Sequence, residues 1–216
     1  MDIATMNASH LDAIREIGNI GAGHAATALS TMLGCPVDID IPKAELVSIY
    51  DLSTYYDDAD ADYCAVFASS DNDGPFNFML LIKNDEVGDI VTLLVAKQFG
   101  MQMDFASMPE DMVESALGEI GNILLGSFLN SVNTLLGMVS GITTPSVSRD
   151  MLGSILSVVA TMYGQYGDIA LVTKSNLNVV PEGPEGQKQA KHLDANILIA
   201  CEPKALEALL KRLGVL

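Results

Sequence analysis

Leu11, Ile14, Ile17, Ala25, Leu29 and Met32 fall broadly on one stripe of a helix. This predicts an α-helix over residues 11–33, which Gly34 and then Pro36 bring to an end. Three runs rich in apolar and aromatic residues follow, 46–50, 63–69 and 76–83, and read as strands leading into a helix over residues 85–99. Further along, residues 154–162 and 168–174 read as two strands about a turn near Gly164 and Gly167. Residues 196–201 read as a further strand, and 203–213 as a helix with Pro203 in its first turn. The stretch 181–194, with Gly183, Pro184 and Gly186, predicts an exposed loop, and residues 57–62 an acidic one.

The chain repeats itself. Glu16-Ile17-Gly18-Asn19-Ile20 recurs unchanged as Glu119-Ile120-Gly121-Asn122-Ile123, an offset of 103 residues. The same offset, without a gap, aligns Gly23 with Gly126, Leu33 with Leu136, Gly34 with Gly137 and Pro42 with Pro145. Each half then reads as a helix, several strands and a helix. Short connections between adjacent strands favour antiparallel pairing, and a duplicated unit most simply buries its core about a pseudo-twofold axis. The expected fold is therefore α+β: two layers, internally duplicated helix-strand-helix units and an antiparallel sheet. One domain over residues 1–216 is expected, made of two repeats at about 8–100 and 111–216.

Composition narrows the partners. Against 28 Asp plus Glu stand 11 Lys plus Arg, a net charge of −17 that repels a phosphate backbone and excludes nucleic acid. Cys35, Cys64 and Cys201 are odd in number and far apart, which fits a reducing compartment and no zinc knuckle. Residues 120–142 are the most apolar stretch but are interrupted by Asn122, Asn130 and Asn133, and the first residues lack the pattern of a signal peptide. A cytoplasmic protein without membrane insertion is expected. His10, His24 and His192 have no metal-ligand spacing, and Gly18, Gly21 and Gly23 lie in a helical pattern rather than a phosphate-binding loop.

The candidate chemistry sits in the repeated segment. Glu16 and Asn19, three residues apart, share one helix face, as do Glu119 and Asn122. Read as structure alone, such a pair belongs to a solvated edge, or the Asn satisfies a neighbouring backbone group. Gly18 and Gly121 beside the pairs suggest the close approach of another backbone, from a neighbouring helix or a substrate protein. Asp12, Glu16, Asn19 and Pro42, separated by three, two and twenty-two residues, and Ser115, Glu119, Asn122 and Pro145 at identical spacings, both match one signature. On these residues the chain resembles the CheC/CheX/FliY family of chemotaxis phosphatases, and its two complete copies are similar to the CheC type.

The resemblance implies hydrolysis of the aspartyl phosphate on the response regulator CheY. Asn19 or Asn122 would orient the attacking water, and Glu16 or Glu119 would pair with the regulator's active-site Lys. It implies no cofactor of the chain's own, Mg2+ being supplied by phosphorylated CheY, and a second partner in the receptor deamidase CheD. A binding module that regulates CheD with little turnover is the alternative function. Pro42 and Pro145 are expected to end the connection and start a strand. For Asp12 and Ser115 two roles stand, contact with the docked regulator or support of the motif helix.

Overall fold

A computed structural model describes residues 6–56, 58–71, 76–164, 169–181, 191–201 and 203–215. The first half runs α1 (Ala8–Leu33), β1 (Val37–Ser48), α2 (Leu52–Tyr55), β2 (Asp62–Ser69), β3 (Phe76–Lys83) and α3 (Asn84–Phe99). The second repeats that order as α4 (Glu110–Leu136), β4 (Ser146–Met151), α5 (Leu152–Tyr163), β5 (Ile169–Val179), β6 (Lys191–Cys201) and α6 (Pro203–Arg212). A single 3-10 turn, Phe105–Ser107, lies between the halves.

Local chemistry sets the ends of the two long helices. Asn7 caps α1: its side chain accepts from the His10 N–H at 3.1 Å, while His10 Nδ1 accepts from the Asn7 N–H at 3.1 Å. Gly34 at φ 68° and Gly137 at φ 65° close α1 and α4 in the left-handed conformation that glycine adopts without strain. Helix α4 has the length and apolarity to cross a membrane, yet half of its most apolar window is buried here against the sheet and α1.

All six strands form one antiparallel sheet in the order β1-β5-β6-β3-β2-β4. The halves meet at the central β3–β6 pair, with Leu80 opposite Ile197. Each half also lends its first strand to the other: β1 pairs with β5, and β4 with β2. Exchanging the halves reproduces the strand order, so the pseudo-twofold axis passes between β3 and β6.

Helices α1, α3, α4 and α6 cover one face of the sheet, where Ile17, Leu29, Phe78, Leu80, Leu117 and Leu125 are buried. On the other face, Leu52 of α2 and Leu152, Ile155, Leu156 and Val159 of α5 close a smaller core over Met79 and Leu81. Strand β3 is thus buried on both sides, which is why its sequence is almost continuously apolar rather than alternating.

Three expectations are corrected. Residues 154–162 belong to helix α5, not to a strand: Leu152, Ile155, Leu156 and Val159 bury one helical face, a spacing masked by the overall apolarity of the run. Pro42 does not start a strand. It sits inside β1, where the register with β5 slips between Asp40 and Lys43, and an unpaired position on an edge strand asks for no N–H donor. Pro145, by contrast, directly precedes β4. Finally, the loop read over 181–194 is shorter, because Lys191–Cys201 is strand; residues 182–190 lie outside the described residues, as do Asp57 of the acidic loop and Gly167 of the turn.

Candidate functional site

The inner faces of α1 and α4 are consumed by packing, so what remains outward is what a partner can meet. Ile14, Ile17, Gly18, Gly21 and Ala25 are buried along α1, and Leu117, Ile120, Gly121 and Leu124 along α4. Between these apolar positions Glu16 and Glu119 are exposed, Asn122 is exposed and Asn19 is half-buried. Beside Asn19, Ile20 keeps 48% of its surface open, an apolar contact next to a polar pair. Each Glu/Asn pair spans one turn of its helix, so the two members of a pair are neighbours on the helix surface.

The glycines in the motif are required by close packing, though not all as expected. A methyl group on Gly18 would stand 2.7 Å from Ile41 Cδ1, and one on Gly121 would stand 2.5 Å from Val66 Cγ1, so both helices lie against strand side chains. The neighbouring backbone is met at Gly21 instead, where a methyl group would lie 3.0 Å from the Phe128 Cα of α4. Gly23 has nothing within 4 Å. Gly121→Ala is therefore expected to lower stability by about 1–3 kcal/mol through overpacking. Gly23→Ala should raise it by about 0.5–1 kcal/mol, since an interior helical glycine only adds unfolded-state entropy. Urea midpoints of the two variants check this, and a stabilising Gly121→Ala would contradict the packing account.

The two pairs differ in their hydrogen bonds. The Ile41 N–H donates to Asn19 Oδ1 at 2.8 Å, and Asn19 Nδ2 donates to the Ile41 carbonyl at 3.3 Å. In the first half the amide thus grips the residue that directly precedes Pro42. In the second half Glu119 Oε2 accepts from Gln98 Nε2 at 2.6 Å, from the end of α3. Ile41 is signalled in the sequence by the spacing to Pro42; nothing in the sequence marks Gln98. Asp12 pairs with Arg15 one turn on at 3.5 Å, an exposed bond that contributes little but keeps Asp12 on its own helix. Ser115 is exposed.

Among the described residues no group of three or more His, Cys, Asp or Glu is placed to hold a metal ion. A cleft of about 990 Å³ lies on the α2 side of the sheet and includes Lys43, Tyr55, Tyr63, Lys83 and Lys174. It is lined by none of the four Glu and Asn residues. Burial pushes the phenols of Tyr55 and Tyr56 there well above their ordinary range, and the Glu45 carboxylate, which accepts from Tyr55 at 2.6 Å, adds to the effect on Tyr55. Both therefore stay neutral at physiological pH.

Comparison with known proteins falls on the same segments. The CheC-like family matches residues 10–45 and 112–149, which contain both copies of the signature. The chain is 28% identical over 205 residues to the CheY-P phosphatase CheC of Bacillus subtilis (strain 168), covering 94% of this chain and 93% of that one. It is 30% identical over 136 residues to the flagellar motor switch phosphatase FliY of the same organism, spanning only 34% of that longer protein. In fold it is similar to Thermotoga maritima FliY, with a TM-score of 0.71 at 19% identity, covering 97% of this chain and 98% of that one. It is also similar in fold to the H. pylori FliM middle domain, with a TM-score of 0.60 at 12% identity, covering 96% and 99%. The two copies of the signature thus lie on two equivalent helices of one duplicated sheet, and over the segments that carry them the chain is similar to the CheC-like family.

Proposed function

We propose that this chain is a protein phosphatase that hydrolyses the aspartyl phosphate of a CheY-type response regulator. The observation that carries the reading is the pair of Glu/Asn sets, Glu16 with Asn19 and Glu119 with Asn122, each one turn apart on a helix whose inner face is locked into the core. Support also comes from the likeness, over nearly the whole chain, to a protein named as a CheY-P phosphatase.

The chemistry asks little of the protein beyond placement. An acyl phosphate is already activated: water attacks phosphorus, the bond from phosphorus to the aspartyl oxygen breaks, and carboxylate and inorganic phosphate leave. A neutral amide suffices to hold the water in line, because positioning and charge stabilisation carry most of phosphoryl transfer. In this reading the Asn side chain orients the water while the Glu carboxylate pairs with the regulator's active-site Lys and fixes the register of docking. The Mg2+ that supports the chemistry comes with the regulator.

The decay of phosphate on purified cognate CheY, followed with and without this protein, tests the reading. Faster decay in proportion to added protein is expected. No acceleration, with or without CheD present, would overturn it and leave a binding module.

A further inference from the structure

Resting on the phosphatase reading, we propose that the two pairs are not equivalent: Glu119 and Asn122 form the site that turns over, while Asn19 is a clamp on the bulge of β1. Two hydrogen bonds join the Asn19 amide to one residue, Ile41. Ile41 and Pro42 fall between the register partners Asp40 and Lys43, so neither has a partner opposite it in β5, and Ile41 is only 3% exposed. Turning the Asn19 amide outward to hold a water leaves the Ile41 N–H and carbonyl unpaired in a place where no ladder bond replaces it. The oxygen that the chemistry needs is thus committed to the fold.

The second half has no such strand backbone to grip. The position equivalent to Ile41 is Thr144, and β4 begins only at Ser146. The chain just before it is drawn instead to Ser69, Ser70 and Asp71 at the end of β2. Ile142 bridges Ser70, the Thr143 N–H donates to the Ser69 carbonyl at 2.8 Å, and the Gly141 N–H donates to Asp71 Oδ1 at 2.8 Å. The Asn122 side chain is left exposed and makes no hydrogen bond to any described residue.

The carboxylates show the opposite arrangement. Gln98 braces one oxygen of Glu119 and leaves the other for a partner's cation, whereas Glu16 has no such brace among the described residues. The second pair therefore offers a held carboxylate and a free amide, and the first a free carboxylate and an occupied amide. Because the amide holds the water, its availability decides which pair works.

Two readouts separate this inference from the reading beneath it. In thermal unfolding, Asn19→Ala is expected to lower Tm by about 3–6 °C, the effect of losing a paired buried group in a chain of this size, and Asn122→Ala to change it by about 1 °C or less. Asn19→Asp, which keeps an acceptor for the Ile41 N–H, should recover part of that loss. In the phospho-CheY assay, Asn122→Ala should reduce the rate about tenfold or more, and Asn19→Ala by a clearly smaller factor, about threefold or less. Equal losses of activity, or equal Tm values for the two Ala variants, would overturn the inequivalence. A wild-type protein that fails to accelerate decay would sink the phosphatase reading and the turnover assigned to Asn122, and the Tm comparison would still decide the clamp.

Discussion

Replacing Asn19 and Asn122 together by Ala should reduce the dephosphorylation of CheY by about 100-fold or more, because the amide that holds the attacking water is then gone and no second amide is left to stand in for it. Loss of placement on this scale is what a small displacement of a reacting group costs. Glu16 and Glu119 remain, so regulator binding should persist, and the defect should appear in kcat far more than in KM. The variant must be assayed well below its Tm, since removing the Ile41 clasp lowers stability by itself. Initial rates of decay over a range of phospho-CheY concentrations, with circular dichroism to confirm the fold, make the measurement. Hydrolysis at the wild-type rate would remove both Asn residues from the mechanism.

The second large effect concerns the core on which both helices rest. Phe78→Ala is expected to cost about 3–5 kcal/mol, lowering Tm by about 6–20 °C. Phe78 is fully buried in the central strand β3, with its ring 6.2 Å from that of Phe76 and 5.9 Å from that of Phe128 on α4, the latter edge-on at 69°. Truncation opens a cavity under α4 in the middle of a sheet whose two halves are interleaved, leaving few ways to collapse around it. Urea or thermal unfolding reads the loss. A cost below about 1 kcal/mol would show that the aromatic cluster repacks freely and does not position α4.

How far the sequence reaches depends on how far apart the deciding residues lie. The Glu/Asn pairs were legible because a spacing of three defines one helix face wherever the helix is placed. The helix end at Gly34 was legible for the same local reason, since a left-handed residue is a property of its own backbone, and the structure ends α4 at its repeat partner Gly137 in the same way. The strand 76–83 was visible as an apolar run bounded by polar residues, and the structure gives it that span. Helix α5 was not: a segment buried against the second sheet face carries too few polar residues to reveal its period.

By itself, then, the sequence determined the duplication, the α+β class with its antiparallel sheet, the two Glu/Asn pairs and the signature that carries the likeness to the CheC-like family. Only the tertiary structure decided that β1 crosses to β5 and β4 to β2, because strand pairing is chosen by partners more than a hundred residues distant for β1. It alone decided that Val66 packs against Gly121 and that Gly21, not Gly18, meets the backbone of the neighbouring helix. The inequality of two identical motifs belongs there too. Glu16 to Ile20 and Glu119 to Ile123 are the same five residues, and they differ in what they can do because one lies over an edge strand with an unpaired bulge and the other does not.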